Sequence, residues 1–174
     1  ENKKAYEIIN DICKLTNTIG FWSQNKLKLV PLCDERLEKD GIVFEPDTTP
    51  LYDLTADDFL PMDDGKLVIF ERGDNSQAFN QTSVEFINRA NNYEPETVEY
   101  QILTDICRRG LRPADTEKLH YLHTKQRAQY VAELLAMKSL YARNRYRFKL
   151  DWSYCLLEPG DLVTLTDEAS GLDR

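Results

Sequence analysis

The chain reads as an α+β fold: antiparallel β structure packed with one long helix, plus a small N-terminal helix-hairpin unit. Three observations predict it. Residues 145–153 alternate without a break, with Tyr146, Phe148, Leu150 and Trp152 large and apolar against Arg145, Arg147, Lys149, Asp151 and Ser153. That is a strand with one dry face and one wet face. Residues 114–143 repeat at helical spacing, with Leu119, Leu122, Tyr130, Leu134, Met137, Leu140 and Tyr141 on one stripe, which is predicted to cover the dry face. Near the N-terminus, a shorter helical pattern leads into a hairpin pattern.

Ala5, Ile8, Ile9, Ile12 and Leu15 form an apolar stripe over residues 4–16, and Gly20 lies just past its end. Phe21-Trp22 and Leu27-Lys28-Leu29-Val30 flank the polar turn Ser23-Gln24-Asn25-Lys26, and Pro31 stops the second strand because it has no N–H to add to a ladder. Residues 32–61 are acidic and hold Pro46, Pro50 and Pro61, which predicts turns around one short strand at Ile42-Val43-Phe44. Thr55 is placed to cap a helical turn over Ala56-Asp57-Asp58-Phe59. A lobe boundary is expected here, giving residues 1–60 as helix, hairpin and acidic loop, and residues 61–174 as the larger domain with the long helix.

In that larger domain, residues 66–70 are a predicted strand and residues 75–81 a polar loop. Val84, Phe86 and Asn88 alternate with Glu85, Ile87 and Arg89, and Val98, Tyr100 and Ile102 alternate with Glu99 and Gln101. Two antiparallel strands joined through Ala90-Asn91-Asn92 fit this pattern, with Pro95 keeping Glu94 extended or in a turn. Gly110 and Pro113 separate the pair from the long helix, for which Asp115 or Thr116 is the expected cap. In Pro159-Gly160-Asp161, Pro159 presets a turn, Gly160 can take the positive φ of type II geometry, and Asp161 can bond nearby backbone before the next strand.

A length of 174 residues permits one medium domain, or a domain with a smaller lobe. With 41% hydrophobic and 30% charged residues, and no apolar run near the roughly 18 residues of a bilayer crossing, a membrane-spanning helix is excluded. No signal peptide is visible. The chain opens at Glu1 without an initiator Met and stops within a β-rich stretch, which predicts a piece of a longer protein. The formal charge of −8 disfavours general nucleic-acid binding. It is unevenly spread: residues 31–65 carry eleven acids against two bases, and residues 101–149 eleven bases against four acids. Such polarity can steer one subunit onto another, although solvated loops and helix faces give the same distribution. Cys13, Cys33, Cys107 and Cys155 are scattered without a C-x-x-C pair, which predicts reduced, buried thiols and folding in the cytosol.

The order of these pieces is more specific than any one of them. Strand residues 82–88, Tyr93-Glu94-Pro95-Glu96-Thr97-Val98, a helix with Arg127-Ala128 and Ala132-Glu133-Leu134-Leu135, then Tyr146-Arg147-Phe148 and Leu157-Glu158-Pro159-Gly160-Asp161-Leu162-Val163 follow one another. Over residues 59–174, and more weakly before them, the chain resembles the family of phage tail proteins that includes domains of central tail-tip attachment proteins and is related to baseplate hub proteins. The resemblance implies barrel-like β domains arranged as a ring, usually a trimer with approximate sixfold symmetry. It implies a structural part of a phage or prophage tail that joins the tail tube to the tip or fibres. Its implied partners are copies of itself, the tube and the tail-tip or baseplate proteins, with no sequence-specific nucleic-acid contact. Its implied place is the virion tail, assembled in the bacterial cytoplasm.

No catalytic, cofactor-binding or metal-ligating set is assigned, and no cofactor is expected. His120 and His123, at i, i+3 on the predicted helix, have no further ligand in a zincin pattern and read as polar surface or partly buried structure. Asp57, Asp58, Asp63 and Asp64 lack EF-hand spacing and read as a solvated acidic turn. Asp53 and Asp58 are conceivable as a hydrolytic carboxylate pair. Arg108, Arg109 and Arg112, beside Tyr100 and Gly110, suit a phosphate backbone or an acidic protein edge, against a solvated loop. The alternative functions are a tail-associated cell-wall hydrolase using the acids, or a carbohydrate-binding accessory domain using Trp22, Trp152 and the tyrosines, with Trp152 expected in the core. Helix and sheet together are the expected stability centre, so truncating Leu134 to Ala is expected to cost about 2–5 kcal/mol.

Overall fold

The computed structural model describes residues 4–33, 36–39, 41–74, 78–167 and 171–172. In chain order the elements are α1 (Ala5–Thr16), β1 (Thr18–Ser23), β2 (Lys26–Pro31), β3 (Leu37–Lys39), β4 (Ile42–Phe44), β5 (Tyr52–Leu54), β6 (Phe59–Leu60) and β7 (Val68–Arg72). Then come β8 (Gln81–Asn88), β9 (Glu94–Gln101), α2 (Leu103–Arg109), β10 (Glu117–Lys118), α3 (Lys125–Tyr141), β11 (Asn144–Leu150) and β12 (Val163–Leu165). The fold is mixed α and β. Among the described residues the strands form small sheets of two or three strands, none closed into a barrel. Two compact units result, one of residues 1–70 with 146–174 and one of residues 71–145.

In the first unit, α1 packs beside the β1–β2 hairpin. The hairpin turns on Gln24 and Asn25 at φ 50° and 61°, the two positive values that a tight primed turn requires. Gly20 permits the close approach of helix and hairpin, because a Cβ there would lie 3.1 Å from Cys13 Sγ and 3.2 Å from Leu29. The core of this unit is Leu54, Phe59 and Val68, joined by Tyr52, Tyr146, Phe148, Leu150, Tyr154, Val163 and Leu165. β12 runs parallel to β5, with Val163 opposite Tyr52, and β11 runs antiparallel to β6, with Lys149 opposite Leu60. The Phe59 and Phe148 rings meet at 5.3 Å, within the usual span of an aromatic pair.

The second unit is a β8–β9 hairpin with α3 across it. Val84 and Phe86 from β8 and Val98 from β9 are buried, as their alternation predicts. On α3 the ridge Ala128-Ala132-Ala136-Leu140, with Val131, is buried. Alanines at every fourth position let the helix backbone lie close on the sheet.

Several expectations are corrected. The long helix begins at Lys125, with Thr124 as its cap at φ −132° and ψ 136°, and not near Asp115 or Thr116. Residues 112–123 run beside β8: Ala114 N–H donates to Gln81 O at 2.8 Å, Leu119 N–H to Glu85 O at 2.9 Å, and Ile87 N–H to Leu122 O at 3.2 Å. These bonds satisfy an edge of β8 that would otherwise lack partners, which outweighs local helical periodicity. Of the predicted stripe, Leu119, Leu122 and Leu140 are buried, whereas Tyr130, Met137 and Tyr141 are exposed and Leu134 is only half-buried. α3 carries two stripes about half a turn apart, one of large side chains and one of small, and burial falls on the small one. The dry face of β11 is covered instead by Leu54, Phe59 and Val68.

Trp152 is 84% exposed, because Asp151 accepts from Trp152 N–H and from Ser153 Oγ, both at 2.6 Å, and starts a 3-10 turn that ends the alternation. Helix α2 departs from the expected strand-to-loop pattern, although Asp105 in its first turn, Arg108 and Arg109 in its last, and Gly110 behind it are start and stop signals. Cys107 and Cys155 are exposed, Cys13 and Cys33 half-buried, and no disulfide joins them. Residues 75–77 of the expected polar loop lie outside the described residues. No helix among the described residues is long and apolar enough to cross a membrane.

Candidate interaction site

Asn80, fully buried, stands where β8, α2 and the loop after α2 meet. Its side-chain amide donates to Asp105 Oδ2 at 2.9 Å and to Gly110 O at 2.8 Å, and its carbonyl accepts from Arg112 N–H at 2.7 Å. Its backbone N–H donates to Arg112 O at 3.0 Å, and its backbone carbonyl accepts from Ile102 N–H at 2.9 Å. A buried amide with all these bonds made costs little, whereas any one left open would be expensive. Asp105 also accepts from Arg109 Nε at 2.7 Å, and a second Arg109 nitrogen reaches the same oxygen. The Arg109 bond, helped by Asn80, holds the Asp105 carboxyl below its ordinary range. Nothing in the local sequence marks Asn80 or Asp105 as this junction.

Beside the junction, Arg72, Arg108, Arg109, Arg143, Leu140 and Tyr141 line a cavity of about 370 Å³, with Thr104 and Asp105 completing the wall. Four arginines and one aspartate are among its lining residues, so the cavity has the electrostatic character of an anion site. Arg108 and Arg109, picked out in the sequence, come together here, and Arg112 serves through its backbone in the Asn80 network. The loop expected for the first two is the last turn of α2.

In the first unit, Glu158 receives the Ser23 hydroxyl and the Lys28 ammonium. The Lys28 bond is the largest cause that keeps the Glu158 carboxyl below its ordinary range. The turn it belongs to has Gly160 at φ 99°, with Asp161 N–H donating to Glu158 O at 3.1 Å and the Asp161 carboxylate accepting from Glu158 N–H at 2.7 Å. This is the Pro-Gly-Asp turn chemistry that the sequence predicts. A second cavity of about 420 Å³ lies here, lined by Phe21, Trp22, Gln24, Leu156, Leu157 and Pro159 among others.

The remaining polar candidates are placed singly. His120 and His123 lie ahead of α3 and not on it; His120 Nε2 is 2.7 Å from Glu85 Oε1, and His123 meets the Tyr93 ring edge-on. The His120 bond holds the Glu85 carboxyl below its ordinary range. Asp58 accepts from Tyr154 Oη at 2.5 Å, Thr55 N–H at 2.8 Å and Thr55 Oγ1 at 2.9 Å. The Tyr154 bond is the largest cause of its lowered pKa and raises that of Tyr154. Asp63 pairs with Lys149 at 3.0 Å, Asp64 with Lys66 at 3.6 Å, and Asp53 accepts the Thr164 hydroxyl. Asp57 is exposed on the 3-10 turn. Among the described residues no three His, Cys, Asp or Glu side chains converge to hold a metal. Of the acidic stretch, Asp34, Glu35 and Asp40 lie outside the described residues.

Fold and polar clusters together define a mixed α and β protein of two compact units, in each of which hydrogen-bonded carboxylates tie elements to one another. Residues 4–174 match the family described as "Putative phage tail protein", and the chain belongs to that family. A chain in the virion of a native gene transfer agent particle is similar over 90% of this chain, at 19% identity and a TM-score of 0.61. That likeness is one of fold. The prophage tail protein gp18 from Listeria monocytogenes EGD-e is similar over 99% of this chain, at 12% identity and a TM-score of 0.46. The chain spans 32% of the length of the first of these proteins and 46% of the second. No curated protein matches it.

Proposed function

We propose that the chain is part of a structural component of a phage or prophage tail, a baseplate hub or tail-tip protein that joins the tail tube to the tip or fibres. The observation that carries this reading is the family match over residues 4–174. The fold shared with a chain of a gene transfer agent virion supports it. In this reading the protein works by shape. The short strand pairs of the first unit contribute to a barrel-like wall that the rest of a longer protein completes. Copies of that protein close into a ring, a trimer in the simplest case, with the tube on one side and tip or baseplate proteins on the other. Repeated contacts that close by rotation make such a ring finite. Its place is the virion tail, assembled in the bacterial cytoplasm, and the genome passes without its sequence being read.

Antibody-gold labelling tests the proposal, on particles from a strain whose full-length protein carries an epitope tag. Label at the end of the tail is expected. Label on the capsid, or particles without label beside abundant tagged protein in the lysate, would overturn it.

A further inference from the structure

The stripe of large side chains on α3 borders the arginine cavity. Tyr130, Leu134, Met137 and Tyr141 follow at i, i+4, i+7 and i+11, and Tyr130, Met137 and Tyr141 are 60%, 38% and 69% exposed. Tyr141 also walls the cavity, so stripe and cavity form one continuous surface. Tyrosine, methionine and arginine are enriched at contact surfaces, and tyrosine joins a large ring to a polar hydroxyl at low entropic cost. Arg72 and Arg108 meet no carboxylate among the described residues, and Asp105 is already committed to Arg109 and Asn80. An arriving carboxylate would give Arg72 and Arg108 a counter-charge.

A segment of matching character exists in this same chain. Residues 41–65 contain no lysine or arginine. Within them Glu45, Asp47 and Asp57 are exposed acids, and Ile42, Val43 and Leu51 are exposed apolar side chains. Pro46 and Pro50 hold residues 45–50 outside helix and strand. We propose that the arginine cavity and the α3 stripe of one copy take residues 42–58 of a second copy. Acids enter the cavity and Ile42, Val43 or Leu51 cover the stripe. A nucleic-acid backbone fits less well, because it asks for bases spread along a track, whereas these converge on one concavity in a chain of net charge −8. Each copy offers one basic and one acidic surface, so each can make two such contacts, either exchanged within a two-fold pair or repeated around a ring. The inference rests on the tail reading only in supplying the contact between copies.

Sedimentation velocity on the 174-residue chain tests it with two charge-neutralised variants, Arg72→Gln with Arg108→Gln, and Glu45→Gln with Asp57→Asn. The wild type should self-associate with rising concentration at low salt, and each variant alone should associate on the order of 100-fold more weakly. An equimolar mixture of the variants restores one native contact, and should give dimers and nothing larger. Circular dichroism matching the wild type shows that each variant is folded. A wild type that stays monomeric at low salt, variants that associate like the wild type, or a mixture that stays monomeric would each overturn the proposal. So would binding of a DNA oligonucleotide that the arginine variant loses and an excess of the residue 42–58 peptide leaves untouched. Gold label on tails together with a monomeric chain would remove this contact and leave the tail reading standing.

Discussion

Lys28 and Glu158, 130 residues apart in sequence, are joined by two hydrogen bonds, from the ammonium to both carboxylate oxygens at 2.8 and 2.5 Å. They fasten the N-terminal hairpin to the Pro159-Gly160 turn. Because the Glu158 pKa is lowered in the folded chain, its contribution is complete above the ordinary glutamate value and is lost as pH falls through the folded value. Glu158→Gln should therefore lower the urea midpoint at pH 7, and the gap to wild type should close as the solution is acidified. Hydrogen exchange should show faster opening of the β1–β2 amides at pH 7. A gap that widens on acidification would contradict the clasp.

Asn80→Ala should cost about 1–3 kcal/mol, since it leaves one oxygen of the buried Asp105 without its partner, and removes the part-buried bonds to the Arg112 amide and the Gly110 carbonyl. Urea unfolding measures this. A loss within a few tenths of a kcal/mol would show that water replaces the amide freely.

The two stripes of α3 predict opposite sensitivities. Ala132→Leu pushes a larger side chain against the sheet and should cost about 1–3 kcal/mol, or more if the helix must lift. Phe86→Ala, at a fully buried position, should cost about 3–5 kcal/mol. Leu134→Ala should cost less than either, because Leu134 is half-buried. Denaturation curves that rank Leu134→Ala first would restore the stripe of large residues as the core.

Gly160→Ala forces an L-residue to φ 99° and brings its Cβ to 3.1 Å from the Val30 side chain. A left-handed conformation alone costs about 1–2 kcal/mol, and the thermal midpoint should fall accordingly. An unchanged midpoint would mean that the turn relaxes without loss.

Where local pattern and tertiary need agree, the sequence is legible. The hairpin at Gln24-Asn25, the strand pair around Val84 and Val98, the capped turn at Thr55 and the Pro159-Gly160-Asp161 turn all stand where their residues predict, because each is decided by backbone chemistry within a few residues. The family could be read from the order of these same pieces. Legibility fails where a distant partner decides. Residues 114–123 have helical spacing, yet the open edge of β8 claims their backbone. On α3, side-chain size points to Tyr130 and Met137, and only the sheet shows that the alanine ridge is the one that fits. Of the candidate interaction site, Arg108 and Arg109 were visible as a basic cluster. Arg72 and Arg143 reach it from far along the chain, and Asn80 organises it from within a stretch that reads as polar loop.

Single-particle reconstruction of purified tails, from the strain that encodes the full-length protein, decides whether this fold is a building part of the tail. Density at the hub or tip that accepts the hairpin clasped by Glu158, and α3 laid on β8 and β9, is the predicted result. Tails complete at the tube, hub and tip with no density of this fold, and no peptides of the protein in their mass spectra, would contradict it.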